Sequence, residues 1–427
     1  MKFKLSLLLI VVFQFLVNAQ DMAYTKHIIQ KLTSPEFKGR GYVEKGDKIS
    51  ADFIAKEFQT IGLKMVNKDS YFQKFNISIN TFPKKVQIKL GGEELKVAKD
   101  YLIESSSPSI KGTFPIIKIS RNDIDSKSKL VSVINKASNT FILIDNRNKK
   151  GEMVEMTKQI DEYIQALKFS KDINVKGIII YSTDKLTWES STSQSIRPIV
   201  LLNKEIDLSN LSTIEITIDA KFIKKYETQN VVGMIKGSSN SDSTIVLVAH
   251  YDHLGKLGAD TYFPGANDNA SGVALLLNLA KHYTVNKPKY TMVFIAFSGE
   301  ELGLFGASAF VNNPLIPLSK IKFLLNFDLA GTGDEGLKVV NGSVYKDKFD
   351  KLTSLNKEFN LMPKIDIRGT ACNSDHCMFH QKGVPCFYTY TLGGIAAYHD
   401  VYDIFETLPL TKFTEYTKLM IAFINSI

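Results

Sequence analysis

The sequence predicts an α/β fold: a three-layer α/β/α sandwich with a mixed, mostly parallel sheet, plus an inserted β-rich accessory domain. Three observations carry this. From residue 230 onward apolar strands alternate with amphipathic helices, the pattern of a sheet covered on both faces. The run Ile245-Val246-Leu247-Val248 is apolar without a break, as a doubly covered strand requires. Between residues 85 and 222 the texture changes to short alternating strands around one long helical run. At 427 residues the chain exceeds what one core ordinarily supports, so more than one unit is expected.

Taken in order, residues 1–20 carry Lys2 and Lys4, then an apolar stretch over 7–17, then Val17-Asn18-Ala19. That is the layout of a secretory signal peptide with cleavage after Ala19. The apolar run is short for a bilayer span and Gln14 interrupts it, so a membrane anchor is disfavoured. The mature chain is expected to be secreted or periplasmic, with no stable membrane insertion. Residues 24–32 and 49–61 have helical spacing; the Gly- and Pro-containing stretch 34–41 separates them and Gly62 ends the second. Residues 71–77 alternate as a strand. Strands are expected over 86–90, 140–144 and 177–181, with a helix over 152–169. Beyond residue 230 the strands are 231–235, 244–249, 290–297, 321–327 and 386–391. The helices there are 272–283, 301–311, 348–359 and 410–427. The domains expected are thus 1–19 (signal), 20–84 (first part of the catalytic domain), 85–225 (accessory insertion) and 226–427 (catalytic domain).

The apolar fraction of 44% and charged fraction of 23% are those of an ordinary globular protein. The net charge of +9 is scattered as single and paired lysines such as Lys84-Lys85 and Lys224-Lys225, which excludes a nucleic-acid footprint as a leading reading. Three cysteines, Cys372, Cys377 and Cys386, allow one bridge among themselves. A Cys372–Cys377 pair and three free thiols both remain open.

Acids and imidazoles cluster just past strand ends in the second half of the chain. His250 and Asp252 follow the strand over 244–249, Asp268 opens the next helix, Glu300-Glu301 follow 290–297, Asp328 follows 321–327, and His399 lies beyond 386–391. Ligands bind beyond the carboxyl ends of strands in open α/β sheets. Imidazole and carboxylate without thiolate suit zinc in a catalytic rather than a structural site. Two histidines and three carboxylates suffice for two metals sharing one bridging carboxylate. Each piece alone has a plainer reading: Asp268 as a helix N-cap, Glu300-Glu301 as acids favoured by a helix dipole. Successive strand ends carrying all of them are hard to assign to chance.

The stretches AHYDH, GANDNASG, FSGEELGLFGA, NFDLAG, SDH and YHD together resemble the M28 family of dizinc exopeptidases. The likeness covers residues 230 to the C-terminus and extends to LTSPEFKGRG and ADFIAKEFQTIGL near the N-terminus. The middle block resembles, more weakly, a protease-associated domain. The resemblance implies a zinc-dependent aminopeptidase acting on peptide substrates, with two Zn2+ per chain. His250 and Asp328 would hold one ion, Glu301 and His399 the other, and Asp268 would bridge them, preceding a peptide bond that is commonly cis in this family. Glu300 would be the general base acting on a water between the metals, and Asp252 would orient His250. His376, His253 and His380 are not expected on metal. The family's Thr-Pro after the last histidine is replaced here by Asp400-Val401, while Asp403 keeps its place. Alternatives are a one-zinc acyltransferase resembling glutaminyl cyclases and a non-catalytic receptor-like relative.

Overall fold

The computed structural model describes residues 22–147 and 151–427; the expected signal segment lies outside them. Among these residues no helix is long and apolar enough to cross a membrane. Two large sheets organise the chain. The first has nine strands, four of them parallel at its centre in the order Tyr290–Phe297, Asn240–His250, Ile321–Asp328 and Cys386–Leu392. Antiparallel strands Lys221–Ile235 and Gly336–Val340 flank this centre.

Side chains along the central strands go alternately to two apolar layers, as the pleat dictates. Ile245, Leu247 and Ala249 pack with Phe294, Phe323 and Leu325 beneath the helices Gly46–Ile61, Gly272–Val285, Lys346–Phe359 and Phe413–Asn425. Val246 and Val248 point the other way, with Val293, Ile295 and Leu324, against Phe305–Asn312 and Phe379. This is the three-layer sandwich that the uninterrupted apolar strands predict.

The second sheet has eight strands, all drawn from residues 86–218. Four are parallel: Ile110–Ser120, Phe141–Asp145, Gly177–Tyr181 and Ile199–Leu202. One face packs on Lys127–Lys136 and Val154–Phe169 through Leu130, Ile160, Ile164 and Leu167. Only the second of these helices is expected from the sequence; Lys127–Lys136 is ten residues long and fully buries only Leu130, with Val133 and Ile134 partly buried against the same cluster. The other face joins Phe141, Leu143, Ile179 and Trp188 to Phe82, Leu254, Leu257 and Phe263, which belong to the first unit. The two sheets therefore share an apolar contact. The chain crosses between them on neighbouring antiparallel strands, Phe72–Thr81 outward and Lys221–Ile235 back.

One element differs in a way that matters for the site. The helix expected over 301–311 begins only at Phe305. Gly299, Gly303 and Leu304 all have positive φ, 72°, 109° and 64°, so residues 299–304 form an irregular turn that a right-handed helix cannot contain. Glu300 and Glu301 thus sit on a turn with freely aimed side chains and not in the first turn of a helix.

Leu247, fully buried at the sheet centre, gives a direct check on this core. Leu247→Ala should lower unfolding free energy by about 2–5 kcal/mol, read as a lower urea midpoint. An unchanged midpoint would place that strand outside the core.

Candidate metal centre

The carboxyl ends of the central strands deliver the site. His250 closes its strand and is 1% exposed. Its Nδ1 lies 3.2 Å from the main-chain oxygen of Asp252. A carbonyl can only accept, so Nδ1 carries a proton. Burial works against a charged ring, but Glu300, Asp328 and Asp268 outweigh it and hold the His250 pKa well above the usual value, with Nε2 facing the acids. Nε2 stands 3.4 Å from Asp268 Oδ1 and 3.5 Å from Asp328 Oδ1. Across the pocket, His399 Nε2 stands 3.1 Å from Asp268 Oδ2 and 3.2 Å from Glu301 Oε2. The two oxygens of Asp268 thus face different histidines.

Asp268 is not a helix N-cap. It lies in the turn Ala266–Ser271, precedes a cis peptide bond to Asn269, and its N–H donates to Asp403 Oδ2 at 3.0 Å. The capping is done by Asn269, whose Oδ1 accepts from the Gly272 N–H at 2.9 Å while its amide donates to the Phe327 carbonyl at 3.0 Å. The Asp268 carboxylate is left for the pocket.

Asp252 stands beside the His250 ring: its carboxylate is 3.8 Å from His250 Nδ1, within ion-pair range but beyond hydrogen-bonding distance, and its main-chain oxygen takes the imidazole's hydrogen bond. The reason is that both carboxylate oxygens are engaged elsewhere: Oδ1 accepts from the Glu300 N–H at 3.2 Å and Oδ2 from the Tyr42 hydroxyl at 3.1 Å. Asp252 fixes the backbone of the Glu300 turn as well as the ring.

The electrostatics are those of crowded buried acid. Burial, with the charges of Asp375, Glu301 and Asp328, pushes Glu300 well above the usual carboxylate range despite His250. Burial also pushes Asp252 to about 6 and Asp375 to about 8. Glu301 goes the other way: burial is outweighed by His253 and His399, which hold it well below its ordinary value. For His399, burial works against the charged form, but Asp268 and Glu301 outweigh it and push its pKa up to about 11.

Two ligands about 2.0–2.1 Å from one tetrahedral zinc lie about 3.3–3.4 Å apart. The separations around His250 and His399 have that size. Buried oxygen and imidazole donors without thiolate also suit the ion, so the residues fit. His253, Asp268 and Glu301 form a second compact triad of potential donors. However, His253 Nδ1 is only 2.6 Å from Glu301 Oε1, which is a direct hydrogen bond and too close for co-ligands. His399 is the better partner for Asp268 and Glu301, with His253 holding Glu301 from behind.

Three residues of this site escape a reading of the sequence. Arg40, fully buried, donates from its guanidinium to the carbonyls of Leu32, Tyr251, Pro264, Gly265 and Asp268. Burial lowers its pKa to about 10 against the raising charges of Asp268, Asp403, Glu301 and Asp252, leaving it cationic at neutral pH. Asp403 receives the N–H groups of Asn267 and Asp268, and His253 braces Glu301. Only the Gly-flanked Arg in KGRG is a visible signal, a charged residue inside a stretch that must turn tightly. His376 stacks on Tyr388 at 5.1 Å with Nε2 on the Ala371 carbonyl at 2.9 Å; burial lowers it to about 4, so it stays a neutral packing residue. Cys372 and Cys377 form a disulfide and Cys386 is free and buried.

A family model for peptidase family M28 matches residues 230–424. Among curated proteins, aminopeptidase YwaD of Bacillus subtilis (strain 168) is 27% identical over 249 residues, 55% of this chain and 52% of that protein. The vacuolar membrane protease of Clavispora lusitaniae is 33% identical over 139 residues, 31% of this chain and 13% of that protein. The chain spans about half or less of the length of these relatives. Among solved structures, BSAP, a zinc aminopeptidase from Bacillus subtilis, has TM-score 0.69 at 20% identity, covering 95% of this chain and 94% of that one. A peptidase M28 precursor from Shewanella amazonensis SB2B has TM-score 0.70 at 17% identity, covering 97% and 95%. These two likenesses show a shared fold.

The Arg40 cradle is testable apart from any activity. Arg40→Met would strand several buried carbonyls and should cost roughly 3 kcal/mol or more in a urea titration. Arg40→Lys should recover only part of it, because an ammonium cannot reproduce the guanidinium fork; full recovery would contradict the cradle.

Proposed function

We propose, from the match of residues 230–424 to the model for peptidase family M28, that the chain is an exported zinc-dependent aminopeptidase that removes N-terminal residues from peptides. In this reading residues 20–84 and 226–427 form the catalytic domain and residues 85–225 an inserted accessory domain resembling a protease-associated domain. His250 and Asp328 hold one zinc, Glu301 and His399 the other, and Asp268 bridges. The observation that carries the two-metal reading is the division of Asp268: Oδ1 toward His250 at 3.4 Å and Oδ2 toward His399 at 3.1 Å.

Zinc held there supplies Lewis-acid polarisation of a carbonyl and a water acidified toward neutral pH. The chain's own residues do the rest. Glu300, partly buried, has a carboxylate that burial and neighbouring acids make receptive to a proton. It takes the proton of the attacking water and returns it to the leaving amine. Asp252 holds Glu300 in place through the N–H of residue 300, and Tyr42 holds Asp252. Tyr388 donates to Asp328 Oδ2 at 3.3 Å, steadying the carboxylate whose other oxygen faces His250. Choice of the N-terminal end rests on the aminopeptidase name of the Bacillus subtilis relative.

Glu300→Gln should lower kcat on aminoacyl amides by roughly 10²–10⁴-fold while zinc content, read by elemental analysis, stays that of the unmodified chain. Near-normal turnover would remove Glu300 from the role of base. His250→Ala and His399→Ala should each lower the zinc stoichiometry, and an unchanged value would refute their assignment. Cyclisation of N-terminal glutamine without amino-acid release would move the reading to a cyclase. N-terminal sequencing of the exported protein should begin at Gln20; an intact Met1 would contradict cleavage.

A further inference from the structure

The second sheet's unit reaches into the metal centre through one irregular segment, residues 182–198, between strands Gly177–Tyr181 and Ile199–Leu202. Lys185 Nζ stands 2.6 Å from Asp400 Oδ2 and donates to the carbonyls of Ala396 at 2.7 Å and Tyr398 at 3.2 Å. All three N–H groups of the ammonium are directed at the loop that carries His399. Three residues on, the Trp188 N–H donates to the His399 carbonyl at 2.9 Å. The Trp188 ring is buried, stacked on Phe263 at 4.8 Å, and its Nε1 donates to the Ile103 carbonyl at 2.8 Å. The segment is thus anchored at both ends, on its own sheet and on the first unit.

What it grips is a conformation that needs gripping. His399 has φ +53°, and the loop leaves its strand through Gly393 and Gly394 at φ 89° and 87°. A left-handed histidine is strained and persists only where its surroundings over-determine it. The carbonyls of 396, 398 and 399 are all accepted partners of the accessory segment. Asp400, buried, completes the arrangement by accepting from the Tyr402 N–H at 2.8 Å and meeting Lys185. Asp400 is also where this chain departs from the Thr-Pro of the family it resembles, so the lysine and the departure face each other.

We infer that Lys185 and Trp188 are positioning residues of the metal centre: they hold the left-handed turn at His399 so that its Nε2 stays opposite Asp268 and Glu301. Retention of the ion on the His399 side therefore depends on docking of the second unit. This rests on the two-zinc reading above. An isolated exposed ion pair is worth little, but here one ammonium ties three acceptors of a single loop. Partners that orient a metal ligand typically carry a 10–100-fold effect on metal affinity.

The test uses the full zinc-loaded chain titrated with a chelator, with zinc per chain and Tm as readouts. The unmodified chain should hold two ions. Lys185→Met should release one of them at a chelator concentration roughly tenfold lower or more, with the second ion and Tm unchanged. Lys185→Arg should restore most of the loss, and Lys204→Met, which breaks the pair of Lys204 with Glu93 within the second unit, should behave as unmodified. A chelator profile for Lys185→Met that overlays the unmodified one would overturn the inference. So would loss of both ions with a lowered Tm, which reports general destabilisation. Fewer than two ions in the unmodified chain would instead overturn the two-zinc reading on which the inference stands.

Discussion

The constraint on which everything else depends is charge. Asp252, Asp268, Asp328 and Asp375, all buried, and the partly buried Glu300 and Glu301 crowd together at the ends of the central strands. Removing carboxylates from water costs several kcal/mol each unless cations or hydrogen-bond donors replace the lost solvation. The fold meets this in layers. Arg40 brings a positive charge under the floor, Asp403 and Tyr42 organise N–H and O–H donors around the rim, and His253 steadies Glu301. The remaining imbalance falls in the middle, between His250 and His399, where the proposed divalent ions would complete the count.

The sheet makes this crowding possible. Four parallel strands packed on both faces are rigid enough to hold side chains from four different strand ends in one place, against their mutual repulsion. The bulk of stability comes from the apolar layers, and the site is carried by turns: 266–271, 299–304 and the loop around His399. Each turn contains backbone conformations that a helix or strand would forbid, and each is fastened from outside itself. Arg40 fastens the first, Asp252 the second, and Lys185 with Trp188 the third. The accessory unit is in this sense part of the site's scaffold.

Much of this was legible in the sequence, for physical reasons that differ by element. The strands Gly177–Tyr181 and Tyr290–Phe297 read to the residue, because an uninterrupted apolar run bounded by polar residues has few other uses. The residues proposed as ligands stand out because imidazole and carboxylate recur just past such runs, and the structure brings His250, Asp268, Asp328, Glu301 and His399 together. The two-helix face of the second sheet was half hidden, since Lys127–Lys136 is short and its apolar residues Leu130, Val131, Val133 and Ile134 fit a short strand as well as a helix. The long strand Lys221–Ile235 begins with a polar stretch, KFIKKYETQ, and so read as strand only in its buried second half. Arg40, His253 and Asp403 were not legible as site residues. Apart from Leu32 on Arg40, the partners named for them lie 48 to 228 positions away, and a buried polar group has no local signature when its partners come from distant turns. For Asp252 the His-x-Asp spacing shows proximity to the imidazole but not which of its oxygens accepts the hydrogen bond.

The most direct measurement is anomalous scattering from crystals of the zinc-loaded protein, collected on either side of the zinc edge. The account predicts two peaks per chain, one among His250, Asp268 and Asp328, the other among Asp268, Glu301 and His399. A single peak, or peaks located away from Asp268, would contradict it.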